Sequence, residues 1–162
     1  MAHLIDYNPP INNGGFETAG SPIWTNWYID NVPTSTTFDD TTNQYEGSHC
    51  AAMYTDASSH ANAIYSSATL IKGVQYNFSF WAKKTEAGSQ MIGAGDYDND
   101  VLTGFTITTS WALYSGIFVA GSSLPPYFGI KRDAYIADTH WFIDAVRLWT
   151  ANPFPTFRPD VP

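Results

Sequence analysis

The chain has 162 residues and a formal net charge of −8, from seven Lys and Arg against fifteen Asp and Glu. Nucleic-acid affinity depends on basic side chains that neutralise phosphates, so this charge balance excludes a nucleic-acid partner. No stretch is long and apolar enough to insert into a membrane. The length is that of one domain, and aromatic residues, at 16%, together with abundant Thr and Ser favour strands over helices.

The start of the chain, MAHLIDYNPP, lacks the charged and apolar regions of a secretory signal peptide. The protein is then expected to work inside a cell, to leave by another route or to be carried on a particle. Of these settings we expect a virion surface, or an extracellular location reached without a signal peptide. The single cysteine, Cys50, excludes an internal disulfide, and its apolar surroundings predict a small buried side chain.

Short β-type runs recur every 8–14 residues between turn residues, which is the pattern of an all-β sandwich or barrel. One domain is predicted over residues 1–150. The tail 151–162 is rich in proline and cannot pair inside a sheet, so an extended C-terminal arm is predicted there. Strands are predicted at 3–8, 23–31, 35–40, 48–55, 61–70, 74–84, 89–96, 101–108, 111–120, 126–132 and 140–149.

Alternation within two of these strands predicts which side chains are buried. In VQYNFSFWAKK the apolar residues from Val74 to Ala82 share one face, which predicts the core side. The opposite face is polar except for Trp81. In HWFIDAVRLW, Phe142, Asp144, Val146 and Leu148 are predicted to share a face, so an acid interrupts an apolar surface. Trp111, which follows TTS, is predicted to be packed in the core.

The motifs NGGFE, YEGSHCAAM, GVQYNFSFWAKK, TTSWALYSGIF and WFIDAVRLW occur in this order along the chain. Together they resemble the β-jelly-roll carbohydrate-binding modules of families four, nine and twenty-two, within the galactose-binding-like group. The resemblance covers residues 10–150. It implies an all-β, antiparallel two-sheet sandwich without catalytic activity, often with a structural calcium ion and a concave face that binds glycans.

The resemblance also implies that Glu17 and Asp144 help to hold the calcium ion. A buried acid is costly unless it is paired, and a cation with oxygen ligands would relieve both the burial and the repulsion between two acids. Asn13 and His49 are candidate further ligands through nearby backbone carbonyls. The alternative is that the acids pair with Lys, Arg or backbone donors without a metal. The run DYDND at 96–100 lacks the glycine and glutamate of a calcium loop and predicts a solvated hairpin turn.

Glycan binding needs aromatic rings for the C–H faces of sugars and polar groups for their hydroxyls. Trp81 offers this combination with Gln75, Asn77 and Lys83 on the same strand face, and family members often use an aromatic residue there. Packing is the alternative role for Trp81. Weaker candidates for the cleft and its rim are Tyr97, Tyr127, Lys131 and Trp27.

The sequence lacks the spaced histidines of a catalytic zinc site and the G-x-S-x-G motif of hydrolases, so no enzyme is expected. We expect a non-catalytic module, associated with a virion as a capsid decoration or a tail or adhesion component, with possible glycan binding. Expected partners are a glycan or polysaccharide, capsid or tail proteins, and further copies of the chain in a homo-oligomer or lattice. The alternative is a stand-alone carbohydrate-binding module that serves a polysaccharide-degrading system.

Overall fold

The computed structural model describes residues 11–20, 23–30, 35–55, 63–86, 91–122, 124–132 and 139–150. These residues form ten strands and two sheets. The strands are β1 (Trp27–Asp30), β2 (Ser35–Asp40), β3 (Cys50–Thr55), β4 (Ala63–Thr69), β5 (Gln75–Lys84), β6 (Met91–Asp96), β7 (Val101–Thr106), β8 (Ala112–Val119), β9 (Tyr127–Arg132) and β10 (Thr139–Thr150).

The first sheet has the order β1-β4-β9-β6-β7, and the second has the order β2-β3-β10-β5-β8. All the pairings are antiparallel. The predicted all-β, two-sheet antiparallel sandwich is therefore confirmed. The predicted strand 3–8 and the predicted arm 151–162 lie outside the described residues. Each of the other predicted strands overlaps one strand of the structure.

The strand β5 shows why the sheets pack as they do. Its burial alternates along the strand as predicted, with Tyr76, Phe78 and Phe80 fully buried and their neighbours partly exposed. The ring of Phe78 contacts rings of the opposite sheet, at 5.4 Å from Phe128 and 5.9 Å from Phe105 between ring centroids. The main core therefore lies between the two sheets and is dominated by aromatic side chains.

A bulge in β10 overturns the predicted face of that strand. The register with β5 shifts between Asp144 and Arg147, and Ala145 has a φ of 49°. One extra residue exchanges the faces of everything that follows it. Before the bulge Ile143 points into the core, and after it Val146 does. Phe142 and Asp144 therefore lie on the outer side of the second sheet, opposite Lys83 and Trp81 of β5, and the acid does not interrupt the core.

Trp111 also differs from its prediction. It is half-buried and packs on a small apolar cluster of Cys50, Ala52 and Phe142, on the outer side of the second sheet. Trp111 directly precedes β8, and its side chain lies on the outer side of the sheet instead of between the two sheets. Among the residues that the structure describes, no helix is long and apolar enough to cross a membrane.

Candidate functional site

The outer face of the second sheet carries four of the predicted glycan-binding residues. The ring of Trp81 is covered by Tyr45, with a centroid distance of 3.8 Å and an interplanar angle of 13°. The ammonium group of Lys83 lies 5.2 Å from the centre of the Trp111 ring and donates to Asn43 Oδ1 at 3.1 Å. Gln75 and Asn77 lie further along the same face of β5. Trp81 and Lys83 thus hold the segment 41–49 against the sheet.

Two of the predicted calcium ligands anchor the same segment. The fully buried Asp144 accepts hydrogen bonds from the backbone N–H groups of Tyr45 at 2.9 Å and Glu46 at 3.0 Å. Glu17 Oε1 accepts from the N–H groups of Ser48 at 2.9 Å and His49 at 3.1 Å. These bonds join three parts of the chain that are far apart in sequence.

One glycine, Gly47, makes room for the Glu17 carboxylate. A Cβ on Gly47 would lie 2.1 Å from Glu17 Oε1, and its φ of 68° also favours glycine. A Cβ on Gly15 would lie 3.7 Å from Glu17 Cγ and 3.8 Å from Asp144 Oδ1. Gly15 therefore lies in ordinary van der Waals contact distance of the Glu17 side chain and of one Asp144 oxygen.

The electrostatics of Asp144 favour a positive neighbour. Burial raises the pKa of its carboxyl, while the N–H groups of Glu46, Tyr45 and Ala145 act in the opposite direction. Carboxylate oxygens are the ligands that calcium prefers, so the chemistry of Glu17 and Asp144 suits the ion, and these two residues would hold it.

The other two predicted ligands have different contacts. The side-chain amide of Asn13 donates to the carbonyl of Thr18 at 2.9 Å, and the carbonyl of Asn13 accepts from the Trp27 indole at 2.9 Å. The His49 ring pairs with Asp39 at 2.8 Å. Within the described ranges, no three His, Cys, Asp or Glu side chains are arranged so that they could hold a metal ion.

The outer face of the first sheet carries a second set of aromatic residues. We call the side chains of Tyr28, Tyr65, Tyr97 and Tyr127 the tyrosine face. The ring of Tyr65 lies 5.3 Å from that of Tyr28 and 5.2 Å from that of Tyr97, stacked in both cases, and 6.2 Å from that of Tyr127. Tyr28 is 48% exposed. These residues come from β1, β4, β9 and the turn after β6.

Beside the tyrosine face, four neighbouring positions of the sheet are glycines, and neighbouring groups bury Gly93, Gly95 and Gly129. Across the strands, Tyr65 pairs with Gly129, Gly129 with Gly95, and Gly93 with Gly104. We call these four glycines the glycine trough. Glycine weakens a strand and is common where a ligand or another backbone approaches closely. A pocket of about 250 Å³ opens here, lined by Gly93, Gly104, Leu102, Lys131 and Asp100.

Polar groups border the tyrosine face. The hydroxyl of Tyr97 donates to Asp30 of β1, and the Lys131 ammonium lies 3.8 Å from Asp100 Oδ1. Burial, the hydrogen bond to Asp30 and nearby charges raise the pKa of the Tyr97 phenol, so it stays a neutral hydroxyl. Tyr97, Lys131 and Asp30 therefore provide donors and acceptors next to the rings.

The turn that carries Tyr97 is the predicted hairpin at DYDND, but its first acid, Asp96, is buried rather than solvated. The fully buried Asp96 accepts from the Gly121 N–H at 2.6 Å and from Asn99 Nδ2 at 3.0 Å. The N–H of Tyr97 donates to the Tyr127 carbonyl at 2.9 Å. These bonds place the ring of Tyr97 over Gly129, since a Cβ there would lie 2.8 Å from Tyr97 Cβ.

The structure thus separates the predicted glycan residues into two groups on opposite sides of the sandwich. Tyr97, Tyr127 and Lys131 lie at the tyrosine face or the trough. Trp27 belongs to neither group, because its side chain is 1% exposed and packs on Phe16 in the core. As a rim residue Trp27 is therefore a wrong prediction. Its neighbour Tyr28 takes the outward position.

Sequence reasoning missed Tyr28, Tyr65 and the trough. Two signals could have found them. Outward positions alternate with buried ones in WYID and AIYS, which places Tyr28 and Tyr65 on the face opposite the core. In β6, MIGAGD, glycines occupy the outward positions of an otherwise apolar strand.

An antiparallel sandwich with an open aromatic face and a shallow pocket is the architecture of a binding module. The chain belongs to the carbohydrate binding domain family, whose family 4 and 9 model matches residues 8–128. This match confirms the resemblance indicated by the sequence motifs. No curated protein matches the chain significantly.

Solved structures share the jelly-roll fold at low sequence identity. The CBM22-1 xylan-binding domain of Xyn10C from Paenibacillus barcinonensis is 11% identical, with a TM-score of 0.61 over 88% of this chain and 95% of that domain. TmCBM61, solved in complex with beta-1,4-galactotriose, is 19% identical, with a TM-score of 0.61 over 88% of this chain and 98% of that one.

The fold also occurs as a part of larger proteins. Tailspike protein 4 of bacteriophage CBA120 is 13% identical, with a TM-score of 0.58 over 89% of this chain, but the match covers only 21% of its enzymatically active domain. Similarly, the match covers 26% of the α-L-arabinofuranosidase MgGH51.

Proposed function

We propose that this protein is a non-catalytic module that binds a glycan on the tyrosine face and in the glycine trough. The observation that carries the proposal is the stacked group of tyrosine rings beside a pocket of about 250 Å³ on the same face of the sheet. Membership of the carbohydrate binding domain family supports it.

The geometry suits a sugar chain for a physical reason. Sugar rings present C–H faces that pack on aromatic rings, and hydroxyl rims that need hydrogen-bond partners. Tyr28 and Tyr65 supply rings, Asp30 and Lys131 supply polar groups, and the pocket beside Lys131 offers space for part of a sugar. Binding sites generally combine an apolar surface with a few placed polar groups in this way.

Binding to an array of soluble polysaccharides, followed by calorimetry on the strongest ligand, tests the proposal. Tyr28→Ala and Tyr65→Ala should each weaken binding about tenfold, or roughly 1.4 kcal/mol, by removing a stacking surface. Trp81→Ala and Tyr45→Ala are the matched aromatic controls, because they lie on the opposite sheet. Tyr28 is well exposed on an edge strand, so its substitution should leave the fold intact.

The outcomes are distinct. Loss of binding only in Trp81→Ala would move the site to the second sheet and refute the tyrosine face. Absence of binding to every glycan by the folded wild type would refute glycan binding itself. Retained affinity in both tyrosine variants would also contradict the proposal.

We also propose that calcium binds between Glu17 and Asp144. The support is that Glu17 and Asp144 both accept hydrogen bonds from backbone N–H groups of the segment 41–49, and that the carboxyl group of Asp144 is fully buried. The ion would join the N-terminal segment to β10 and so stabilise the sandwich. EDTA should lower the melting temperature, and added calcium should restore it. The same treatment should not change the melting temperature of Asp144→Asn, and an EDTA-insensitive wild type would refute the ion.

The biological setting is proposed from two of the proteins that share the fold. A capsid or tail component at the virion surface, in contact with other particle proteins, is supported by the tailspike match. A stand-alone module that serves a polysaccharide-degrading system is supported by the match to the xylan-binding domain. Mass spectrometry of purified phage particles separates the two. Peptides of this chain in the particles would support the first, and their absence would refute it.

A further inference from the structure

The tyrosine face is bordered by more carboxylates than ammonium groups. Asp30 lies two residues from Tyr28 on β1, so both side chains point outward, and its carboxylate accepts from the Tyr97 hydroxyl. The turn after β6 adds Asp98 and Asp100, close to Tyr97 in the chain. Three acids therefore lie on the side of the sandwich that carries the proposed glycan site.

Two of these acids act on the tyrosine rings through space. Burial raises the pKa of the Tyr65 phenol, and the carboxylates of Asp30 and Asp98 raise it further. Burial, the hydrogen bond to Asp30 and the charges of the same two acids raise the pKa of the Tyr97 phenol. Groups whose ionisation is opposed by nearby carboxylates lie in a negative potential. That potential attracts a cation and repels an anion that approaches the rings.

Lys131 is the cation that opposes these acids. On the described strands of the first sheet it is the only cationic side chain that points outward, because Arg132 is 1% exposed and lies on the core side of β9. The Lys131 ammonium lies 3.8 Å from Asp100 Oδ1, so that one acid is already balanced. Among the described residues, no cation lies within ion-pair distance of Asp30 or Asp98. The rings are therefore flanked by two unbalanced negative charges.

We propose that this site selects glycans by charge: amino-sugar chains that carry ammonium groups bind more tightly than neutral chains, and chains of uronic acids bind more weakly. The inference rests on the proposed glycan site and adds the charge of its ligand. A protonated amino sugar places its ammonium group near Asp30 or Asp98, and the faces of the tyrosine rings attract a cation as well. A uronic acid places a further carboxylate beside these acids, with only Lys131 to oppose the repulsion.

The selection is local and does not come from the net charge of the whole chain. A net charge of −8 repels every anion, wherever it binds, but at physiological salt this repulsion is largely screened beyond about 8 Å. Asp30 and Asp98 act at the rings themselves. Removal of a carboxylate at the tyrosine face should therefore change the selectivity, whereas removal of a distant carboxylate should not.

Calorimetry with three β-1,4-linked hexasaccharides, of glucose, glucosamine and glucuronic acid, tests the proposal at a pH that keeps the glucosamine units protonated. The three chains share their linkage and differ in the charge of one substituent. At low salt the wild type should bind the glucosamine chain about tenfold more tightly, and the glucuronic acid chain about tenfold more weakly, than the glucose chain. Higher salt should reduce both differences, because the charges are exposed to solvent.

Three variants locate the effect. Asp98→Asn should reduce the preference for glucosamine over glucose about threefold, because it removes a carboxylate beside the rings. Glu86→Gln is the matched control: it changes the net charge by the same amount, but Glu86 follows β5 of the second sheet, so the preference should stay as in the wild type. Tyr28→Ala should weaken binding of the glucosamine chain as well, since that chain occupies the tyrosine face.

The outcomes separate the charge selection from the site itself. Equal affinities for the three chains, with binding that depends on Tyr28, would overturn the charge selection and leave the proposed glycan site intact. Equal loss of the preference in Asp98→Asn and Glu86→Gln would assign it to the net charge and overturn the local selection. Glucosamine binding that Tyr28→Ala does not change would overturn it too. Absence of binding by every chain would refute the glycan site and the charge selection together.

Discussion

Adjacent residues of β1 have opposite roles because of the direction in which each side chain points. Trp27 faces the core, where its indole donates to the Asn13 carbonyl. Tyr28 faces outward and stacks on Tyr65. The two aromatic residues have similar chemistry, so their positions in the fold, and not their types, decide which one can contact a ligand.

The same reasoning predicts the reactivity of Cys50. Burial, with a further contribution from the Asp40 and Asp144 carboxylates, raises the pKa of the thiol to about 12. Because the thiolate is the nucleophile, iodoacetamide at about pH 8 should leave the folded protein unmodified. Intact-mass measurement should show full labelling only after unfolding in urea. Fast labelling of the folded chain would contradict this prediction.

At the scale of elements, the paired strands β6 and β9 form a surface whose shape depends on missing side chains. A Cβ on Gly129 would lie 2.8 Å from Tyr97 Cβ and 3.2 Å from Tyr65 Cβ. Any residue other than glycine at position 129 would therefore push both tyrosines away from β9.

Gly129→Ala should displace Tyr97 from the tyrosine face. We expect about tenfold weaker glycan binding and a loss of roughly 1–3 kcal/mol in the free energy of unfolding, because the added methyl group overpacks the contact. Calorimetry and urea unfolding measure the two effects. Tyr97→Phe is the companion variant: it loses the hydrogen bond to Asp30 but keeps the ring in place, so its effect on binding should be smaller. Unchanged binding by Gly129→Ala would show that Tyr97 has no part in the site.

At the scale of the whole molecule, the stability of the sandwich depends on rings that cross between the sheets. Phe78 of the second sheet contacts Phe105 and Phe128 of the first and is fully buried. Both sheets lose contacts when this ring is removed.

Phe78→Ala should lower the free energy of unfolding by about 3–5 kcal/mol, since it removes a large buried side chain and leaves a cavity. Urea unfolding followed by tryptophan fluorescence measures the change. Leu124→Ala is the control, because Leu124 is 51% exposed, and its effect should stay within about 0.5 kcal/mol. Similar losses in both variants would contradict the central role of this ring.

The local pattern of apolar and polar residues was sufficient to predict much of the fold. Residues two apart on a strand share a face, so the alternation of Tyr76, Phe78 and Phe80 predicts the core side of β5 without any knowledge of its neighbours. The turn at DYDND is partly local, since Asp96 accepts from the backbone N–H of Asn99, three residues further on, but Asp96 and Asn99 also bond to Gly121 and Leu124. The order of the motifs was enough to recognise the family.

Only the tertiary structure decided which surface can bind. The bulge at Ala145 moves Asp144 out of the core, and the segment 41–49 covers Trp81 with Tyr45. The tyrosine face assembles from strands that are neighbours in the sheet but far apart in the chain. Which strands pair, and in which register, depends on contacts between residues far apart in the chain. The alternation of buried and exposed side chains depends on each strand alone. The sequence by itself therefore determined the strands and the family, and the packing of the two sheets decided where a ligand can reach aromatic rings.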